Sequence, residues 1–160
     1  MLAAVLRYLN RREYTLAELR QRLKERGAAA ADIEAALEYV RERSYQDDTR
    51  AAQSHIRQRL AYAPRGRALV KQELKERGLS PEQAAALLEE HYPPEMEQEL
   101  LQRLLQKEAE PLVLSDAQKA RKLRQKIARR LLAKGFSQSL VMEALAEWLP
   151  AVEDLDYMDQ

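Results

Sequence analysis

The chain has 160 residues, of which 27 are lysine or arginine and 26 are acids, with 46% hydrophobic residues, only 6% aromatic ones and no cysteine. Without cysteine, disulfides, thiolate metal sites and thiol catalysis are excluded together, and a charged fraction of 33% beside so few aromatics favours small cores between helices over one large globular core. The net charge of +1 conceals segregation: residues 117–134 carry many cations and no acid, whereas the stretch from Glu153 to Asp159 is acidic.

Leu2, Val5, Leu6 and Leu9 form an i, i+3, i+4, i+7 stripe that predicts a first helix. The opening MLAAVLRYLNRREYT is interrupted at Arg7 and leads to no small-residue cleavage pattern, so it reads as a helix and not as a signal peptide. Thr15 with Glu18 makes a capping box for a second helix whose inward stripe is Leu16, Leu19 and Leu23. After Gly27 a third helix is expected from about Asp32, facing inward with Ile33, Ala36, Leu37 and Val40. A fourth begins at Tyr45-Gln46-Asp47-Asp48-Thr49-Arg50, where either aspartate can cap, and carries Ala52, Ile56 and Leu60. The turn Ala63-Pro64-Arg65-Gly66 leads to a helix holding Leu69, Val70 and Leu74, and Ser80-Pro81-Glu82-Gln83 restarts the chain after Gly78. His91-Tyr92-Pro93-Pro94 predicts an extended link and a unit boundary. Beyond it, Met96, Leu100, Leu101, Leu104 and Leu105 mark a helix broken by Pro111, Ser115 with Gln118 offers a capping box, and the helix from about Asp116 to Lys134 is the longest. Ser137 caps a last helix with Leu140, Val141, Ala144, Leu145 and Trp148 inward, before Pro150 and a loose acidic tail.

One segment recurs along this series: LRQRLKERG from Leu19 to Gly27, VKQELKERG from Val70 to Gly78, and IARRLLAKG from Ile127 to Gly135. Aligned on the glycines, an aliphatic residue stands eight positions before (Leu19, Val70, Ile127) and a leucine four before (Leu23, Leu74, Leu131). Six positions after come Ile33, Ala84 and Val141, and ten after come Leu37, Leu88 and Leu145. The chain therefore reads as all-α, a three-helix unit used three times, with units at 1–44, 45–92 and 93–150 and a tail at 151–160. Each repeat glycine is expected to end its helix in the left-handed region.

Catalytic constellations are not evident. His55 and His91 have no nucleophile or carboxylate placed as a recognisable partner, and four scattered glycines build no phosphate loop. Asp47-Asp48 reads as capping and not as a metal pair, and Trp148, Tyr8, Tyr39, Tyr45 and Tyr62 read as core or rim filling. No enzyme activity, cofactor or metal is expected. Two basic groups remain: Lys119, Lys122, Lys126, Arg129 and Arg130, which share a helical arc beside the apolar stripe, and Arg57, Arg59, Arg65, Arg67 and Lys71 around the turn of the second unit. Such groups suit DNA phosphates or an acidic protein surface.

With AAVLRYLNRREYTLAELRQRLKERG near the start, YQDDTRAA leading the second unit, Pro64-Arg65-Gly66 before VKQELKERGLS, and LLAKGFSQSLVMEALAEW near the end, the chain resembles the RecX family of bacterial recombination regulators. Ser44 stands where that family often has glycine, and Ala51-Ala52 where an aromatic followed by alanine is usual. The resemblance implies three tandem three-helix repeats in an elongated, curved molecule that binds the RecA filament on single-stranded DNA. It also implies obstruction of filament growth, strand exchange, ATP turnover and coprotease activity, and hence a role in DNA repair, homologous recombination and the SOS response. On this reading the ten basic residues named above are candidates for filament contact or for weak, non-specific contact with single- or double-stranded DNA. A cytoplasmic monomer without membrane contact is expected, since no apolar run approaches the roughly 18 residues of a bilayer span. A helix-turn-helix-like DNA-binding module acting without RecA is the alternative, and a helical scaffold for another partner a third reading.

Overall fold

Every described element of the computed structural model is an α-helix, and the structure describes residues 1–108 and 117–148. In chain order the helices are α1 (Leu2–Leu9), α2 (Leu16–Glu25), α3 (Ala30–Glu42), α4 (Asp48–Ala61), α5 (Arg67–Glu76), α6 (Pro81–His91), α7 (Pro94–Glu108), α8 (Ala117–Ala133) and α9 (Gln138–Trp148). By compactness the chain forms two units. One holds Met1–Tyr62 with Lys71–His91, and the other holds Ala63–Val70 with the residues from Tyr92 onward.

Three of the helix ends repeat one geometry. Gly27, Gly78 and Gly135 have φ of 75°, 97° and 85°. Their N–H groups donate to the carbonyls of Lys24, Lys75 and Leu132, and the N–H groups of Ala28, Leu79 and Phe136 donate back to Leu23, Leu74 and Leu131. Each is a Schellman motif, in which two carbonyls left over at the helix end gain donors and a left-handed residue reverses the chain. The repeated apolar positions are buried in all copies: Leu19, Val70 and Ile127; Leu23, Leu74 and Leu131; Ile33, Ala84 and Val141; Leu37, Leu88 and Leu145. A fourth Schellman motif closes α3 with the same pair of bonds, from Ser44 to Arg41 and from Tyr45 to Val40, and here the left-handed residue is Ser44 at φ 56°.

In the first unit α1 and α2 pack on α3, and α4 packs on α6. Val5, Tyr14, Leu19, Leu23, Ile33, Ala36, Leu37 and Val40 form one core cluster. The Thr15–Glu18 capping box is present at α2. Both aspartates of the Tyr45–Asp48 stretch cap, but they cap different helices. Asp47 Oδ1 accepts from Arg50 N at 2.8 Å at the start of α4, whereas Asp48 Oδ1 accepts from Leu16 N at 2.8 Å at the start of α2. Gln46, buried, completes the junction by donating to Tyr14 O and Asp48 Oδ1. α3 starts two residues earlier than Asp32, because the run of alanines before it is the best helix-forming sequence available and needs no side-chain cap.

In the second unit α7 and α8 pack on α9. Pro94 opens α7 as its first residue, so the link expected at His91-Tyr92-Pro93-Pro94 shrinks to Tyr92 and Pro93. Ser137 Oγ accepts from Leu140 N at 3.3 Å, capping α9. Gly66 is required by close approach: a Cβ there would strike the carbonyl of Gly135, and its N–H donates to Lys134 O at 2.8 Å. The Ser115–Gln118 capping box, Pro111, Pro150 and the acidic tail lie outside the described residues.

Candidate interaction surfaces

The α8 arc follows from the placing of the apolar stripe. Ile127 and Leu131 are buried and Leu123 is half-buried, so residues about 100° around the helix face solvent. Lys122, Lys126, Arg129 and Arg130 are exposed, Arg129 Nε reaching back to Gln125 O at 3.3 Å. Lys119 belongs to the same helix, but its side chain lies outside the described part.

The other basic group divides between the two units. In the first, Arg57 is exposed, Lys71 is half-buried, and Arg59 donates from Nε to Glu73 Oε2 at 2.8 Å. In the second, Arg65 and Arg67 are half-buried and their backbones are held: Tyr92 Oη donates to Arg65 O at 2.8 Å, and Arg67 N donates to Glu97 Oε1 at 2.7 Å. Glu97 thereby caps α5. Burial raises the Glu97 carboxyl above its ordinary value despite that N–H donor and the Arg67 charge. Burial, joined by the Glu97 charge, also raises the Tyr92 phenol.

A polar relay that the sequence does not announce runs through the first unit. Glu73 Oε2 lies 2.7 Å from His55 Nε2, and Arg77 Nη1 lies 3.0 Å from His55 Nδ1. Because arginine only donates, Nδ1 must accept, which puts the imidazole proton on Nε2 and directs it to Glu73. Arg77 Nη2 continues to Glu18 Oε2 at 3.0 Å, and Arg12 Nη2 meets Glu18 Oε1 at 3.0 Å. Thr15 Oγ1 donates to Arg77 O. Burial is the largest influence on His55 and lowers its pKa; the Glu73 bond opposes this and the Arg77 charge adds to it. Burial pushes the Glu18 carboxyl up, but the Thr15 N–H, Arg12 and Arg77 outweigh it and hold the group below its ordinary value. Glu73 is likewise lowered, burial being outweighed by Arg59 and His55. Both ring nitrogens of His55 are thus committed to structural partners.

The first triplet also carries an arginine–tyrosine cluster absent from the sequence expectations. Arg12 Cζ stands 3.6 Å from the Tyr14 ring centroid, and Arg22 Cζ stands 5.2 Å from Tyr14 and 5.7 Å from Tyr8. Arg26 Cζ is 5.7 Å from Tyr8, and the two rings are 5.7 Å apart. The available signal was the four-residue spacing of Arg22 and Arg26 at the end of a helix that follows Tyr8 and Tyr14. Of the other tyrosines, Tyr39 supports Arg43 at 3.7 Å, whereas Tyr45 and Tyr62 are 51% and 86% exposed. Tyr62 is the residue after α4, past the packed stripe, and therefore fills no core. Among the described residues no group of His, Cys, Asp or Glu is gathered to hold a metal, and no helix is long and apolar enough to cross a membrane.

Residues 2–39 match the family model described as RecX, first three-helix domain, and residues 47–88 match RecX, second three-helix domain. Regulatory protein RecX of Vibrio parahaemolyticus is 40% identical over 74 residues, 46% of this chain and 47% of the relative. Its counterpart in Legionella pneumophila is 36% identical over 87 residues, 53% and 56% of the two chains. The chain thus spans about half the length of these relatives. Regulatory protein RecX of Pasteurella multocida is 32% identical over 132 residues, covering 80% of this chain and 75% of the relative. Among solved structures, RecX from Lactobacillus salivarius has a TM-score of 0.72 at 22% identity, over 92% of this chain and 93% of that one. A second, described as regulatory protein RecX, has a TM-score of 0.73 at 24% identity, over 89% and 70%. At these identities the two structures establish a shared fold.

Proposed function

The chain belongs to the RecX family, and from that premise we propose that it is a non-catalytic, cytoplasmic regulator that binds the RecA filament on single-stranded DNA and restrains its extension, ATP turnover, strand exchange and coprotease activity. Divisions at 1–44, 45–92 and 93–150 and a monomeric state belong to the same proposal. The observation that carries it is the joint match of both three-helix domains to a family of regulators. The exposed cations of α8 support it, because closely spaced positive charge meets both filament acids and DNA phosphates.

A protein that blocks the growing end of a polymer acts on many subunits at once. The purified chain is therefore expected to slow ATP hydrolysis by the RecA of its own organism at substoichiometric ratios, with filament assembly followed in parallel. Unchanged hydrolysis at equimolar protein sinks the proposal. Sequence-specific DNA affinity in the absence of RecA would instead select the helix-turn-helix-like alternative.

A further inference from the structure

We propose that Arg12, Arg22 and Arg26, held on the Tyr8–Tyr14 pair, form a docking surface for an acidic segment of a protein partner. The proposal stands apart from the filament reading, since it specifies the chemistry of what docks and leaves the partner's identity open.

Three guanidinium groups gather here on two rings, and like charges brought together in this way repel. Arg22 in the last turn of α2 and Arg26 at its C-cap, four residues apart, add the cost of a like-charged pair. The carboxylate already present in the cluster, Glu18, is shared between Arg12 and Arg77. Arg22 and Arg26 are exposed and, among the described residues, have ring contacts but no carboxylate. Attraction to the rings places the Arg12, Arg22 and Arg26 guanidinium groups 3.6–5.7 Å from a ring centroid, an interaction that does not use up their N–H donors. It also restrains two long side chains before binding, which lowers the entropy lost on docking.

Three features favour protein carboxylates over nucleic acid. Tyr14 is 6% exposed and carries Arg12 on its face, so a base has no open ring there on which to stack. The guanidinium groups converge on one ring pair and do not form a track along which a phosphate chain could run. Glu25, exposed between Arg22 and Arg26 in sequence, repels a uniformly anionic polymer but can pair with a cation interspersed in a peptide. Arginine and tyrosine together are also the residue types that dominate protein–protein hot spots.

The test uses the whole chain, a fluorescein-labelled short peptide of alternating glutamate and alanine with one central lysine, and an oligothymidylate of matched net charge. Adding the peptide is expected to shift the Nε–Hε resonances of Arg12, Arg22 and Arg26. The double substitution Arg22→Gln, Arg26→Gln is expected to weaken the peptide about tenfold by fluorescence anisotropy while leaving the oligonucleotide's affinity unchanged. If circular dichroism shows that the glutamine pair does not fold, Arg22→Lys with Arg26→Lys is read in its place, because lysine keeps the charge and loses the planar donor fork. Unmoved arginine resonances, unchanged peptide affinity, or a loss that falls equally or mainly on the oligonucleotide overturns the proposal.

Discussion

His55 is held as a neutral ring with an acceptor nitrogen facing Arg77, so a second proton on that ring would set two donors against each other. Its pKa is lowered from 6.5 in the fold, chiefly by burial. The unfolded chain therefore binds the proton more tightly, and the stability that His55 contributes is full above about pH 6.5 and declines as pH falls below it. Glu18 and Glu73, lowered from 4.5, contribute stability above about that value and lose it as pH falls further through their folded values. Acid unfolding followed by circular dichroism should accordingly show a shallow loss below pH 6.5 before the carboxylate transition, and His55→Gln should remove only the shallow part. Arg77→Ala should cost about 2 kcal/mol in denaturant melts, because it leaves the buried His55 Nδ1 without its donor and takes from Glu18 one of its two cations, Arg12 and the Thr15 N–H remaining. Ser44 makes the opposite prediction. A non-glycine residue at φ 56° is strained, so Ser44→Gly should stabilise by about 0.5–1 kcal/mol, the relief being partly offset by the greater freedom glycine gives the unfolded chain. The resemblance had marked this position as one where glycine is frequent, and the left-handed backbone supplies the reason.

At the scale of the helix, the three repeat glycines share a conformation but not their surroundings. A Cβ on Gly27 meets nothing within 4 Å, whereas one on Gly78 would collide with the Cβ of Ala17. Gly27→Ala should therefore cost about 1 kcal/mol, from backbone strain alone, and Gly78→Ala more, because α2 must shift as well. Gly66→Ala should be more damaging than Gly27→Ala, since the obstacle is the backbone of Gly135. Thermal melts of the three variants test that order. The helices, their glycine ends and the repeated core were legible in the sequence because those signals lie within a turn or two of one another, as with Leu19, Leu23 and Gly27. Exact starts were less so: the alanines before Asp32 carry no cap to mark where α3 begins, and Pro94 was read as part of a link although it opens α7. Glycine at 66 read simply as a turn, since its approach to Gly135 spans far more of the chain than any local pattern.

For the whole molecule, the filament reading assigns a specific job to α8. Replacing Lys122, Lys126 and Arg129 by glutamate should leave the helical circular dichroism native, since all three side chains are exposed, yet weaken inhibition of RecA-dependent ATP hydrolysis. Unchanged inhibition would remove that face from the mechanism. The arc was legible because it needs only a helical wheel. The arginine–tyrosine cluster and the His55 relay were not, because Arg12 and Tyr14 meet through a turn and Glu18 and Arg77 come together from different triplets. The first two triplets are joined as well by the bond from Leu16 N to Asp48. A repeat usually suggests parts that can be lifted out singly, but severing this chain between residues 44 and 45 would take from α2 the carboxylate that finishes its first turn. The opening triplet borrows its own beginning from its neighbour, and on its own it would start α2 one acceptor short.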